Sequence, residues 1–123
     1  MPVKQELASF VRSTFRSVWS LELLSLLRRS GESTWTPTQL VAALRASDLV
    51  VSQSVESLLA AGLIVVETDN TVRYQPVSPE VDGLVEATEE LYAKRPDAVR
   101  RLIVAKGSDG LIGFAEAFKI RDD

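Results

Sequence analysis

The stretch from Thr36 to Gln75 constrains the fold most, because the spacing of its apolar residues changes type along the chain. Two successive segments place apolar residues three or four apart, which predicts two amphipathic helices. These residues are Leu40, Val41 and Leu44 in the first segment, and Val51, Val55, Leu58 and Leu59 in the second. After Gly62 two short β-branched runs surround Asp69 and Asn70. The order predicts a helix, a turn, a second helix and a β-hairpin.

Local signals set the limits of these elements. Thr36 and Pro37 provide an N-cap followed by a proline in the first turn of the first helix. Ser47 or Asp48 is expected to cap the second helix. Gly62 follows the last turn of that helix, where a residue in the left-handed conformation is favoured.

Further helical segments flank this unit on both sides. Residues 7–29 contain no Gly or Pro and carry apolar residues at helical spacing, and Ser17 is a possible start for a separate helix. Residues 79–94 predict another helix, and Pro96 begins a short one. A final amphipathic element is expected over residues 111–123.

The predicted fold is therefore mainly α with a small β-hairpin, in the α+β class. More specifically, we expect a winged helix-turn-helix with added N- and C-terminal helices. Residues 1–16 would form an N-terminal arm or helix, and residues 17–76 the winged helix-turn-helix domain. Residues 77–123 would form a helical extension that serves dimerisation or packing. At 123 residues the chain can bury a core without a metal ion or a disulfide.

The composition limits the chemistry that the chain can perform. It has no His and no Cys, which removes the commonest general base, the thiol nucleophile and most zinc sites. No phosphate-binding loop of the form GxxxxGK[ST] and no GxSxG motif occurs. We therefore predict that the protein is not an enzyme and has no catalytic residue, metal ion or cofactor.

Hydropathy and charge bear on the location and the partners. The apolar runs are shorter than the roughly 20 residues of a membrane span, and the N-terminus lacks the apolar core of a signal peptide. A cytoplasmic protein without a membrane partner is expected. The formal net charge is −3, whereas DNA-binding domains are usually basic. Bulk charge therefore does not favour nucleic acid.

One pattern resembles the helix-turn-helix and wing of the MarR and ArsR groups of bacterial transcription regulators. Its residues are Leu44, Ser47, Val51, Val55, Leu58, Gly62, Leu63 and Ile64. The resemblance covers residues 17–76 and is mostly a packing pattern. In that family the recognition helix lies in the major groove, the wing reaches the backbone or the minor groove, and added helices form a dimer. The resemblance implies a homodimer that binds double-stranded DNA, with residues 48–61 as the recognition helix and 63–75 as the wing.

The resemblance also assigns DNA contact to individual residues. They are Arg45, Ser47, Leu49, Val50, Ser52, Gln53, Glu56 and Arg73. An amide such as that of Gln53 can pair with adenine, and a valine can contact the methyl group of thymine. The predicted recognition helix carries no Lys or Arg. Arg45 and Arg73 are therefore the positive charges nearest to its outward face.

A second hypothesis is a winged-helix module that binds a protein partner and does not bind DNA. The uncharged face of the predicted recognition helix, the acidic wing tip at Asp69 and the apolar pair Leu49 and Val50 favour it. The DNA hypothesis relies more on the fold, and a fold alone does not establish a function. Both hypotheses stay open at the level of sequence.

Two basic groups and two tryptophans also have alternative interpretations. The first group forms either a solvated face or a phosphate-facing stripe. The second group either compensates the C-terminal end of a helix or contacts a partner or a phosphate. The groups are Arg12, Arg16, Arg28 and Arg29, with Glu6 or Glu22 as possible ion-pair partners, and Lys94, Arg95, Arg100 and Arg101. Trp19 and Trp35 are expected to be buried anchors, and the alternative is a ligand pocket between them and the dimer helices. Trp35 is also expected to form a short first strand.

Overall fold

The computed structural model describes residues 4–104 of the chain, which form six helices and one small antiparallel sheet. In chain order the elements are α1 (Lys4–Thr14), α2 (Val18–Arg29), α3 (Pro37–Leu44), α4 (Asp48–Ala60), β1 (Ile64–Val66), β2 (Val72–Tyr74), α5 (Pro79–Lys94) and α6 (96–104). The predicted class, mainly α with a small β-hairpin, is confirmed. The amphipathic element expected over residues 111–123 lies outside the described residues.

A break between α1 and α2 follows from a cap at Ser17. The Ser17 hydroxyl accepts a hydrogen bond from the backbone N–H of Ser20 at 3.3 Å, and the Ser20 side chain returns the contact as a capping box. Phe15, two residues before the cap, is fully buried and packs edge-to-face on Phe10 with ring centroids 6.0 Å apart. The separate second helix considered for Ser17 is therefore present.

Helices α3 and α4 are joined by a tight turn with a cap on either side. Thr36 and Gln39 form a reciprocal capping box at the start of α3. Arg45 ends α3 in the left-handed conformation, with φ of 56°. Ser47 then caps α4, because its hydroxyl accepts a hydrogen bond from the backbone N–H of Val50 at 3.1 Å. Of the two caps expected at this point, the structure uses Ser47.

Helix α2 lies at the centre of the core. Its fully buried leucines are Leu21, Leu23, Leu24 and Leu27. The elements around it contribute Val11, Phe15, Leu40, Val51, Leu58, Leu63, Ile64, Val72, Val85, Val99 and Ile103. Burying one leucine completely is worth about 1.5–3 kcal/mol. Helix α2 therefore supplies a large part of the apolar free energy that stabilises the fold.

The hairpin pairs Ile64 with Tyr74 and Val66 with Val72. Trp35 adds a third, one-residue strand, since it exchanges backbone hydrogen bonds of 2.9 and 2.7 Å with Val72. The short first strand expected at Trp35 is thus confirmed. Gly62 enters the hairpin with φ of 78°, the left-handed conformation expected there.

Two expectations about burial are wrong. Trp19 is 41% exposed rather than a buried anchor. Leu59 is 46% exposed, and the inward face of α4 includes Ser54, which is only 4% exposed. Leu59 is exposed because of the direction in which α4 packs on α2 and α3. Its buried side chains follow the spacing Val51, Ser54 and Leu58, and Leu59 lies about 100° around the helix from Leu58.

Candidate nucleic-acid interface

Helix α4 presents an outward face that the rest of the described chain leaves open. Leu49 is 65% exposed, and Ser52, Gln53 and Glu56 are also exposed. Val50 is half-buried at the edge of this face. The structure therefore brings together the five α4 residues that were assigned to DNA contact. We call this set, Leu49, Val50, Ser52, Gln53 and Glu56, the α4 face.

The two predicted contact residues that precede α4 have different positions. Ser47 uses its hydroxyl oxygen as the helix cap, which fixes the orientation of that side chain. Arg45 is exposed in the turn, and it forms no salt bridge with another residue of the described chain. Its positive charge is therefore available at the N-terminal end of α4. The partial positive charge of the helix dipole lies at the same end.

A cleft of about 550 Å³ runs along one side of the α4 face. Arg16, Ser17 and Trp19, at the junction of α1 and α2, form one wall. The opposite wall is formed by the α4 residues Val50, Gln53, Ser54, Glu56, Ser57 and Ala60. From sequence, Arg16 is compatible with a solvated face or with a phosphate contact. The structure places it on the same cleft as Gln53.

Trp19 was not expected on this surface, although the possible helix start at Ser17 was a partial signal for it. The cap at Ser17 ends α1 and begins α2 beside α4, so the first turn of α2 reaches the cleft. Helical spacing alone places Trp19 with the other apolar residues of α2. The packing of α2 on α4, which spacing does not specify, leaves the indole half-exposed.

The hairpin offers less positive charge than the sequence suggested, because Arg73 has partners within it. The Arg73 Nη2 atom lies 2.8 Å from Oε2 of Glu67, and Nε donates to the same oxygen at 3.3 Å. The Nη1 atom donates to Oε1 of Gln75 at 2.7 Å. A phosphate that approached Arg73 would therefore compete with a carboxylate already in place.

The tip of the hairpin is anionic. Oδ1 of Asp69 accepts hydrogen bonds from the hydroxyl of Thr71 at 2.7 Å and from its backbone N–H at 3.2 Å. The side-chain hydrogen bond, followed by the backbone one, lowers the pKa of Asp69. The carboxylate is therefore charged at neutral pH. An anionic tip repels phosphates, whereas a wing that contacts the DNA backbone usually needs cations.

A polar network joins the base of the hairpin to α2 and α5. The guanidinium of Arg28 donates to Oε1 of Glu89, and its Nε lies 3.6 Å from Oδ1 of Asp82. The hydroxyl of Tyr74 donates to the same Asp82 oxygen. Burial alone would lower the pKa of Arg28, but the charge and hydrogen bond of Glu89 outweigh it, and the pKa is raised. Arg28 is therefore a structural cation and does not face a ligand.

A second polar contact joins α2, α5 and α6. The hydroxyl of Tyr92 donates to Oε2 of Glu22 at 2.7 Å. The guanidinium carbon of Arg100 lies 5.7 Å from the centre of the Tyr92 ring. Burial, and then the hydrogen bond to Glu22, raise the pKa of Tyr92. The partner of Glu22 is thus a tyrosine, whereas the sequence suggested an arginine of the first helices.

Comparisons of the chain with protein families, with curated proteins and with solved structures found no match. Every helix within residues 4–104 falls short of the length or the apolar character that a membrane crossing requires. In the same part of the chain, no three His, Cys, Asp or Glu side chains are grouped so that they could hold a metal ion. The exposure of the α4 face and the cleft beside it define the candidate site.

Proposed function

We propose that this protein is a DNA-binding transcriptional regulator of the winged helix-turn-helix type. In this proposal α3 and α4 form the helix-turn-helix, α4 is the recognition helix and residues 63–75 are the wing. The order of elements, with the Trp35 strand beside the hairpin, supports this assignment. By analogy with regulators of this architecture, the protein acts as a homodimer on double-stranded DNA.

The observation that carries the proposal is the position of Arg16 on the same cleft as Gln53. Affinity for duplex DNA comes mainly from cations that neutralise phosphates, and α4 itself has none. Arg16 supplies a cation along the side of α4, and Arg45 supplies another at its N-terminal end. We infer that these two arginines, rather than the hairpin, position α4 on the backbone.

Within this arrangement the α4 face has distinct roles. Gln53 would pair with the N6 and N7 positions of an adenine, a contact worth about 1–3 kcal/mol of discrimination. Leu49 would meet a thymine methyl group in the major groove. Glu56 opposes phosphates, so the DNA would lie toward the N-terminal half of α4. In a two-fold symmetric dimer the two recognition helices would lie about 34 Å apart.

A selection from random duplex DNA tests the proposal directly. The expected result is an enriched, approximately palindromic motif. Replacement of Gln53 by alanine (Gln53→Ala) should relax one position in each half-site. Arg16→Gln should weaken binding to all sequences alike and reduce the salt slope of log K by about 0.9, the value for one phosphate contact. Arg29→Gln, an equal charge change at the far end of α2, is the matched control.

Failure of the selection would contradict the proposal if the protein also failed to retain any duplex at low salt. If the enriched motif is the same for Gln53→Ala as for the wild type, the assignment of Gln53 to a base contact is contradicted. An equal loss of salt slope in Arg16→Gln and in Arg29→Gln would show a general effect of net charge.

The alternative, a module that binds a protein partner, has support from the exposure of Leu49 and Trp19. Both are large apolar side chains at the same surface, and Arg73 is already paired in the hairpin. A photocrosslinking amino acid at position 49 separates the two functions. In cells it should attach to DNA if the first proposal holds and to a polypeptide if the alternative holds. The same group at position 32, which is exposed in the loop after α2, controls for random capture.

A further inference from the structure

Helices α2 and α5 run antiparallel, which two side-chain contacts establish. Toward the C-terminal end of α2, Arg28 contacts Glu89, and toward its N-terminal end Glu22 contacts Tyr92. A helix advances 1.5 Å per residue. The end of α5, which lies just beyond Tyr92, is therefore level with the first turns of α2. Trp19 lies in those turns and lines the cleft.

Four cations cluster where α5 meets α6. We call this set the basic corner: Lys94, Arg95, Arg100 and Arg101. Arg100 is held in place, because its guanidinium stacks on Tyr92 and lies 3.6 Å from Asp97. The remaining three are exposed and form no salt bridge with any residue in the described range. The corner thus presents more positive charge than its own acids neutralise.

The basic corner and the cleft flank the same ridge on α2. Trp19 belongs to the cleft, and Glu22, one turn further along, belongs to the contact with Tyr92 and Arg100. Residues three apart on a helix are neighbours on its surface. A surface therefore leads from the α4 face past Arg16 and Trp19 to the basic corner.

We propose that the basic corner is a second DNA contact, which binds the phosphate backbone beyond the segment that α4 reads. This inference rests on the proposed function. The major groove is ~12 Å wide, so a helix whose axis lies one packing distance of about 8–10 Å from α4 is already beyond the edge of the groove. Helix α2 packs on α4 in this way, and α5 lies against α2 through the contacts of Arg28 with Glu89 and of Glu22 with Tyr92. The corner therefore meets phosphates outside the groove that α4 enters, and it adds affinity without reading sequence.

Salt dependence of binding to a mixed-sequence duplex of about 30 base pairs, or three helical turns, tests this surface. Each phosphate contact contributes about 0.9 to the slope of log K against log salt. The double variant Arg95→Gln, Arg101→Gln should therefore lower the slope by about 1.8 and leave the selected motif unchanged. The single variant Arg95→Gln should lower it by about half of that amount. Arg29→Gln removes one exposed charge at the other end of α2 and should leave the slope close to that of the wild type.

Three results would contradict the proposal that the basic corner contacts DNA. They differ in whether they also contradict the proposed function. A wild-type protein that retains no duplex at low salt overturns the proposed function and this surface together. If the wild type binds and the double variant has the same salt slope, only the proposal for the basic corner is contradicted. Equal slope changes in Arg95→Gln and Arg29→Gln also overturn it, because they indicate net charge rather than contact. Circular dichroism melting of each variant verifies that the fold is intact.

Discussion

At the scale of single residues, the ion pair within the hairpin decides how much Arg73 can contribute to binding. Its partner Glu67 is partly exposed, and pairs of this kind contribute about 0–1 kcal/mol. We predict that Glu67→Gln frees Arg73 and tightens DNA binding by up to about fivefold, the equivalent of ~1 kcal/mol. Fluorescence anisotropy with the selected duplex measures the change.

The matched control for this prediction is Glu86→Gln, which removes one exposed negative charge from α5. If both variants gain the same affinity, the gain comes from net charge and the hairpin pair has no special role. Arg73→Gln should weaken binding less than Arg16→Gln does, because the Arg73 guanidinium is already paired.

Tyr74 makes stability sensitive to alkaline pH. Burial, followed by the hydrogen bond and the charge of Asp82, raises the pKa of Tyr74. A pKa that is higher in the folded state means that the folded protein keeps a proton which the unfolded chain loses. The stabilisation is therefore complete below the ordinary tyrosine pKa of about 10 and is lost as pH rises from there through the folded value.

We predict that the free energy of unfolding falls with pH above about 10 and that Tyr74→Phe makes this fall less steep. Urea unfolding at a series of pH values gives the slope. Tyr92→Phe is the comparison, because the pKa of Tyr92 is raised by the same kinds of cause. An identical slope for the wild type and Tyr74→Phe would refute the role given to Tyr74.

At the scale of elements, two left-handed glycines end two helices but differ in their surroundings. Gly31 has φ of 66° with open space around it, whereas a Cβ atom on Gly62 would lie 2.7 Å from a methyl carbon of Val77. Left-handed backbone costs an ordinary residue about 1–2 kcal/mol. We predict that Gly31→Ala loses about this much stability and that Gly62→Ala loses more, as measured by urea unfolding.

A second substitution isolates the steric part of this effect. Val77→Ala removes the methyl groups that a Gly62 side chain would meet, so Gly62→Ala should cost less in that background. The side chain of Val77 is β-branched and stiff, so it does not rotate away freely. Equal losses for Gly31→Ala and Gly62→Ala in the wild-type background would contradict the predicted clash.

The limits of the elements follow from local sequence, and for that reason they could be predicted. Ser17, Thr36 and Ser47 each cap the helix that follows them, and Gly62 takes the conformation expected at a helix end. These interactions involve residues within four positions of each other. The outward direction of Gln53 was also predictable, because it follows from the helical period of α4.

What could not be predicted depends on which elements pack together. The spacing of α2 does not reveal that Trp19 faces a cleft beside α4, and the sequence of α1 does not place Arg16 there. The partners Arg28 and Glu89 are 61 positions apart in the chain. The periodic spacing of apolar residues gives no indication of this pairing. The pairing of Arg73 with Glu67 likewise requires the hairpin to close first.

At the scale of the whole molecule, the contact of Arg28 with Glu89 fixes α5 on α2. Both side chains are mostly shielded from solvent, so the loss of Glu89 leaves Arg28 with only the longer contact to Asp82, at 3.6 Å. We predict that Glu89→Ala lowers the free energy of unfolding by about 1–3 kcal/mol, the cost of an unsatisfied buried polar group. Urea unfolding followed by circular dichroism provides the measurement.

The control for this prediction lies on the same helix. Glu86 is exposed, so Glu86→Ala changes the charge and the helix propensity of α5 by the same amount without breaking a contact. Equal destabilisation by the two substitutions would mean that Arg28 does not depend on Glu89. The double variant Arg28→Met, Glu89→Ala removes the shielded cation together with its partner, and Asp82 keeps the hydrogen bond from Tyr74, so part of the stability should return.

The half-exposure of Trp19 also gives the molecule an optical signal of its own. The chain has two tryptophans, and the indole nitrogen of the second, Trp35, is buried without a hydrogen-bond partner in the described part of the protein. Ultraviolet excitation therefore reports on one indole that is half-exposed and on one whose ring nitrogen is buried. Any molecule that fills the cleft excludes water from the first and leaves the second as an internal reference, so occupancy can be followed without a label.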